Sequence, residues 1–505
     1  MALLCLKTLA ATIYVNKNAT GANNGTSWAN AYTTLESAFG DSIVGDQIWV
    51  ASGVYKPAGT SRSTTYNIPN GVSVYGSFAG TETTLGQRDL SNGATTTLNG
   101  DINSVGVATD NCYYVVRFTN VSNLTVLDGF KIVNGYNNSS VYGGAIYNNG
   151  GQPTIRNCEL IANYATKGGG FGNATIDSNI TTLINCKITN NSAGEGGGVF
   201  NNGGTLKLIG CDISSNTANY GGGLHVEFDH VIIDKTIFSG NSASNYGGAI
   251  YLDNTESSME AYNSLFAGNF ANEGAVLDMN SPFSNTDVSS MTNCTVVNNR
   301  NTGTNPNTSF IVTLPYTSAG FSNNIISHNT APRVLLNGTV SNCIIDAPYV
   351  PGSAVNVTTT APAYVSANIP AAAPFAHNGY DYHLAAGSVG INGGNSALVN
   401  PLYNQDLAGN ARISGSAVDM GAYENAALAL EDHALHAASL YPNPTNGKVY
   451  LSKAEETGYA VFGINGNKLA EGRLSDGNPI DLSGLAPGVY LVRLSDGSAH
   501  KVIKN

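Results

Sequence analysis

The chain has 505 residues and a formal net charge of −12, and only 11% of its residues are Asp, Glu, Lys or Arg, far below the roughly 25% of an average soluble domain. Its hydrophobic 42% is broken into short pieces among 59 glycines, and none approaches the ~18 consecutive apolar residues of a membrane-spanning helix. A charged coiled coil and a helical membrane protein are excluded, and an acidic chain without a basic cluster is unsuited to gripping nucleic-acid phosphates.

Residues 1–11 are expected to be a residual or truncated export signal: an apolar Met1–Leu6 stretch, then Lys7, then the small residues Ala10 and Ala11. Such a signal ordinarily places its positive charge before the apolar part. In the next stretch, Thr34–Phe39 reads as one short helix, suited to capping the open end of a stacked core.

From residue 157 the chain repeats itself. Asn157-Cys-Glu-Leu-Ile-Ala-Asn163 returns as Asn185-Cys-Lys-Ile-Thr-Asn-Asn191 and Gly210-Cys-Asp-Ile-Ser-Ser-Asn216, then in looser form up to Asn323–Asn329 and Asn342–Asp346. The steps are 28, 25, 25, 28, 30, 30 and 19 residues. A second phrase recurs as Gly143-Gly-Ala-Ile-Tyr147, Gly196-Gly-Gly-Val-Phe200 and Gly247-Gly-Ala-Ile-Tyr251. Short alternating apolar segments with Gly and Asn turns at this period predict an all-β parallel solenoid over residues 12–425, each coil burying its apolar face against its neighbours. Asn163, Asn191, Asn216, Asn241, Asn269, Asn299 and Asn329 should then stack in one hydrogen-bonded column. Cys158, Cys186 and Cys211 should stack as free thiols, because strands ~4.8 Å apart hold the Cβ atoms wider than the ~3.8 Å of a relaxed disulfide.

Charged residues are few enough that candidate reactive groups are quickly found. His225, Glu227 and Asp229 alternate, as on one outward strand face. Aligning the coils stacks His225 with Tyr251 and Glu227 with Asp253. The stacked carboxylates could hold Ca²⁺ or act as a retaining pair, and the nearest basic residue in sequence is Lys235. Tyr147, Phe200 and Tyr251 form an outward aromatic column suited to stacking on sugar rings. Arg412, Asp419 and Glu424 read as an ion-paired cluster fixing the last coils, with an active constellation as the other reading.

Composition changes after Glu424. An Ala-rich linker, 426–438, leads into a compact β module, 439–505, which holds seven Lys and Arg against six Asp and Glu, so the upstream body carries the acidity.

The repeat phrases resemble the right-handed parallel β-helix superfamily that includes pectate-lyase-like proteins, and Phe238-Ser-Gly-Asn241 with Gly247-Gly-Ala-Ile-Tyr251 resembles polymorphic outer-membrane adhesin repeats. Segments flanking the repeats resemble the opening and closing coils of secreted bacterial β-helix proteins. The tail, with Tyr441-Pro442-Asn443-Pro444, the Gly466-Asn-Lys turn, Gly488 and Tyr490 in the Leu-Ala-Pro-Gly-Val-Tyr phrase and a Lys-rich last strand, resembles the type IX secretion C-terminal sorting domain. That resemblance implies a small β-sandwich recognised by the type IX translocon and a sortase, and a secreted or surface protein of a Gram-negative bacterium. Two function classes follow. One is a non-catalytic adhesin, glycan-binding or structural surface element, whose partners would be surface polysaccharide or cell glycans and which needs no cofactor. The other is a Ca²⁺-dependent polysaccharide lyase or glycoside hydrolase using Glu227, Asp253, His225 and Asp229.

Overall fold

The computed structural model describes residues 10–505 except 92–94, 177, 254–255, 280–288, 304–309, 316–317, 331–332, 347–348, 367–369, 371–372, 426–439, 452–456, 464–466, 475–477 and 496–498. Most of the expected signal segment, the linker and Gly466 therefore lie outside the described residues. The chain divides into two compact units, Met1–Asn425 and Ala426–Asn505.

The first unit is a parallel β-solenoid. Three faces belong to one continuous sheet, in which strands pair in parallel with those of the next coil, mostly in register and with a bulge in a few pairs. The first face includes Val116–Thr119, Ile146–Asn149, Phe171–Ala174, Val199–Asn202, Leu224–Phe228, Ile250–Leu252 and Leu277–Met279. The second begins at Thr12–Val15 and includes Thr154–Arg156 and Ile180–Ile184, and the third includes Glu159–Ile161, Lys187–Thr189 and Asp212–Ser214. A fourth, separate sheet stacks Tyr136–Tyr142, Tyr164–Lys167, Ser192–Glu195, Thr217–Tyr220 and Ser242–Tyr246. One residue of each alternating pair points inward, so Ile146, Leu183, Ile188, Val199, Leu224 and Ile233 fill a single fully buried core.

The corners explain the repeat phrase. Between the second and third faces, Asn157, Asn185, Gly210, Lys235, Asn263, Asn293, Asn323 and Asn342 all take φ between 48° and 64°, a conformation that Gly and Asn adopt at least cost. The residues that follow stack inside as a mixed column of Cys, Thr, Ser and Asn. Backbone N–H groups donate along it, from Cys211 to Thr236 Oγ1 at 3.3 Å, Thr236 to Ser264 Oγ at 3.1 Å and Cys294 to Asn324 Oδ1 at 2.7 Å. The thiols are more than apolar filler, since Cys186 Sγ lies 3.5 Å from the carbonyl oxygens of both Ile155 and Ile184. All six described cysteines are free and buried.

The asparagine column forms as expected. Asn191 Oδ1 accepts from the backbone N–H of Asn163 at 3.0 Å and from its amide at 3.1 Å, and the pattern continues through Asn216, Asn241, Asn269 and Asn299 to Asn329. Each inner amide also reaches back to the preceding coil, as from Asn216 Nδ2 to Ile188 O at 2.8 Å. The ladder thus satisfies buried backbone groups at a turn where the strand ladder cannot.

At the N-terminal end, the helix Leu35–Asp41 is capped by Thr34, whose hydroxyl accepts from Ser37 N at 3.4 Å, and it buries Leu35 and Ala38 in the solenoid core. At the other end, the structure departs from the expected closing coils. Among the described residues, those between 361 and 425 run back over the outside of the third face as an irregular strap whose helical elements are two short 3₁₀ turns. Phe375 donates to Gly268 O at 3.1 Å, and its ring fills the space that a Cβ on Gly268 would need. Tyr382, Leu384 and Met420 pack on Leu265, Ile325 and Ile344. Outward residues of the third face are apolar here, and a covering segment removes them from water. Arg412 is buried in this strap. It ion-pairs with Glu424 at 3.0 Å and donates to the carbonyls, not the carboxylate, of Asp419 and Gly421. Lys235 is also tied to the strap, donating to Gln405 Oε1 at 2.8 Å.

The second unit is a small antiparallel sandwich. A three-stranded sheet (Leu440–Tyr441, Lys448–Leu451, Ile480–Asp481) faces a four-stranded one (Lys468–Leu474, Thr457–Gly463, Gly488–Leu494, Ala499–Lys504) over Val449, Ile480, Leu482, Val461, Val492 and Val502. Tyr490 is part of this core. Asn443 clasps the last strand from the side, donating to Lys501 O at 2.6 Å and accepting from Ile503 N at 2.8 Å.

Candidate functional site

The corner between the fourth and first faces gathers several charged and aromatic side chains. In each coil a glycine with φ of 62–77° ends the fourth-face strand: Gly143, Gly168, Gly196, Gly221, Gly247 and Gly274. The following residue can have no side chain in most coils, because a Cβ on Gly169 or Gly197 would come within 2.5 Å of a backbone oxygen. The sharp turn brings the last fourth-face residue opposite the first-face residue five positions later. Tyr142 thus faces Tyr147, Lys167 faces Gly172, Glu195 faces Phe200, Tyr220 faces His225, Tyr246 faces Tyr251 and Glu273 faces Asp278. Register stacks both series along the axis.

This geometry changes the aromatic column. Tyr147, Phe200 and Tyr251 were expected to be displayed, but they are buried, at 9%, 0% and 3% exposure. Tyr142 lies over the slot that Gly172 leaves and stacks on Phe200 at 5.3 Å between ring centroids. Tyr220 and Tyr246 lie 5.6 and 6.0 Å from Tyr251. The half-buried rings at the surface are therefore Tyr142, Tyr220 and Tyr246.

The charged residues also take partners that sequence order hides. Lys167 Nζ lies 3.0 Å from Glu195 Oε2 and 3.1 Å from Glu227 Oε2, with the Phe200 ring centroid at 4.6 Å. Burial by itself would lower the Lys167 pKa, but the hydrogen bonds and charges of the two glutamates outweigh it and hold the ammonium above its usual range. His225 pairs in register with Tyr251 as expected, and its ring is sandwiched edge-on between Phe200 and Tyr251 at 5.0 Å each. Its Nδ1 is 3.8 Å from Glu195 Oε2 and its Nε2 is 3.7 Å from Asp253 Oδ2, both outside hydrogen-bond range. Asp253 accepts from the Tyr251 hydroxyl at 3.0 Å.

Three side chains were expected to share one face, and Asp229 does not join the other two. The strand ends at Phe228 after a register shift, Asp229 turns at φ 67°, and its Oδ2 accepts from Gly204 N at 2.6 Å. Glu227 and Asp253 take different partners, the Lys167 ammonium for one and the Tyr251 hydroxyl for the other. Among the described residues, no three His, Cys, Asp or Glu side chains converge to hold a metal ion. Asp278, at the end of the corner, is pushed up to about 7 by burial and then by the Glu273 carboxylate. The sequence did carry a signal for the missed residues Lys167, Glu195, Tyr220, Tyr246 and Glu273: each immediately precedes the corner glycine.

Residues 439–505 match the family described as the secretion system C-terminal sorting domain. The tail is a type IX sorting domain. The chain is accordingly a type IX secreted protein, released or held at the cell surface, and its tail implies the type IX secretion machinery as a partner. A solved structure of the pectate lyase Pel9A is similar in fold, at 17% sequence identity and a TM-score of 0.52, covering 83% of this chain and 97% of that one. The secreted body thus has the pectate-lyase-like β-helix fold. No curated protein matches the sequence. No helix among the described residues is long and apolar enough to cross a membrane.

Proposed function

We propose that the secreted body is a non-catalytic surface β-helix, an adhesin or glycan-binding element, which holds a carbohydrate along the corner between the fourth and first faces. The observation that carries this reading is the clamped Lys167. A lysine held cationic between two carboxylates is a poor proton-abstracting base, and the two glutamates are equally committed to it. Half-buried Tyr142, Tyr220 and Tyr246 over the Phe200 and Tyr251 floor offer ring faces for sugar C–H groups. The opposing reading, a polysaccharide lyase or glycoside hydrolase, draws support from one feature. Asp278 titrates near neutrality beside Glu273, as a general acid beside a carboxylate would.

The two readings separate in one experiment. The full chain is incubated with neutral and acidic polysaccharides, with and without Ca²⁺, following unsaturated products, reducing ends and retention of the glycan. Retention without turnover, weakened in Tyr220→Ala and Tyr246→Ala, is the expected result. Turnover that disappears in Glu227→Ala, Asp253→Ala or Asp278→Asn would replace the binding reading with an enzymatic one.

A further inference from the structure

We infer that the loop from Asn99 to Cys112 is a calcium-binding site, with Asp101, Asp110 and Asn111 supplying side-chain oxygens. The loop leads from the third-face strand Thr96–Asn99 towards the first-face strand Val116–Thr119. It lies far along the chain from Glu227 and Asp253 and does not depend on the glycan reading. Hydrogen bonds fold it on itself. Cys112 N donates to Gly100 O at 2.9 Å, which sets Asn111 beside Asp101, and Val107 N donates to Ser104 O at 3.0 Å, which closes a tight turn. Both carboxylates clasp that turn: Asp101 Oδ2 accepts from Gly106 N at 3.2 Å and Asp110 Oδ2 from Ser104 N at 3.1 Å. Asp101 and Asp110 are thereby drawn to one place, and Asn111 adjoins both.

What points to a ligand is the state of the remaining oxygens. Asp101 is 7% exposed and Asn111 5%, yet Asp101 Oδ1, Asp110 Oδ1 and Asn111 Oδ1 are each buried without a hydrogen-bond partner. Native structures ordinarily pair such atoms, and an unpaired one costs most when it carries charge. The neighbouring cation Arg62 does not answer them. It donates through Nε to Asn111 O at 2.9 Å, through Nη1 to Asn138 Oδ1 at 3.0 Å and through Nη2 to Tyr136 O, and to neither carboxylate. All three unpaired atoms are acceptors, and two belong to carboxylates. A divalent cation would satisfy them and offset the repulsion between the two charges, whereas a buried water would do only the first. Calcium suits this set, since it takes about six to eight oxygens from carboxylates, amides and backbone carbonyls in flexible geometry, while magnesium demands a near-ideal octahedron. Zinc sites are built chiefly on His nitrogen and Cys sulfur. Two carboxylates with one carboxamide also agree with the absence, among the described residues, of three converging His, Cys, Asp or Glu side chains. The Asn103 amide donates to Thr60 O at 3.1 Å and to Asp110 O at 2.9 Å, so a filled site would fasten the adjoining segment 60–62 as well.

Calorimetric titration of calcium chloride into the full chain, first freed of metal with a chelator, supplies the test. The expected result is binding with a dissociation constant of about 10⁻⁴–10⁻³ M, the range of extracellular calcium modules, and about tenfold or more weaker binding of magnesium. Asp101→Asn and Asp110→Asn keep an acceptor for the turn N–H groups and remove the charge, and each should weaken calcium binding about tenfold or more. Asn111→Asp adds a carboxylate and should tighten it, which keeps the test decisive where either neutral variant folds poorly. No heat from calcium at up to about 10 mM would overturn the inference by denying an ion. An affinity that none of the three substitutions moves would overturn it by placing the ion elsewhere. Equal affinity for magnesium would overturn the choice of calcium.

Discussion

Lys167 and Glu227 are 60 residues apart in the chain and meet at 3.1 Å, reaching past the coil that carries Phe200. Both are partly exposed, so the pair is worth little by itself, on the order of 1 kcal/mol or less. A double-mutant cycle with Lys167→Met and Glu227→Gln should give a coupling of that size, reduced by salt. The Lys167 pKa is raised on folding, so its stabilisation is complete below the usual lysine value and is lost only as pH climbs through the raised one. A coupling above about 3 kcal/mol, or one lost already below neutral pH, would contradict this account of the pair.

Asn216 occupies the middle of the asparagine ladder, accepting from Asn191 and donating to Asn241 Oδ1 and Ile188 O. Asn216→Ala leaves a buried N–H and a buried C=O unpaired and opens a small void. The expected loss is about 2–5 kcal/mol in urea unfolding. Asn→Ala at exposed Asn378 supplies the control, with no more than about 0.5 kcal/mol. Comparable effects at the two positions would mean that the ladder is ornamental.

Asp278 ties stability to pH in the direction opposite to that of an ion-paired carboxylate. Its pKa is about 7 in the fold against an ordinary 3.8, so the folded state binds the extra proton between those values. Stability should therefore fall as pH rises through that window. Asp278→Asn should remove the fall, matching the parent at pH 4 and exceeding it at pH 8 by on the order of 2–4 kcal/mol. A variant less stable than the parent at pH 8 would show that the ionised carboxylate is held by a favourable partner.

Burial pushes the thiols of Cys158, Cys294 and Cys343 up to about 12. An alkylating reagent at neutral pH should leave them untouched in the folded protein and modify them on denaturation. Rapid labelling of the native protein, followed by mass spectrometry placing the label on Cys158, would contradict the packed column.

Much of this was legible along the chain, for a reason particular to stacked folds. Asn163 and Asn191 share a column because each coil repeats the last, so a period read in one dimension is also an axial neighbour relation. The same holds for Cys158 with Cys186 and for His225 with Tyr251. The tail was readable for a different reason, since Tyr441-Pro-Asn-Pro and the terminal Lys-rich strand follow the family order, and Asn443 shows one structural use of that motif.

Other relations needed the third dimension. Whether Tyr147 and Tyr251 lie open or covered depends on the angle at the corner, set by glycines at positive φ that bring the fourth face against the first. Glu227 binds Lys167 and not a residue of its own coil because side-chain reach across that corner, unlike strand register, is not periodic. The strap 361–425 carries no repeat at all. Its course over the third face follows from apolar side chains, such as Leu265 and Ile325, that only a returning segment can cover. The sequence by itself determined the solenoid, its inner columns and the sorting tail, since those depend on repetition and local turn chemistry. Tertiary structure decided the corner, its charge and what covers the third face, since those depend on which surfaces the turns bring together.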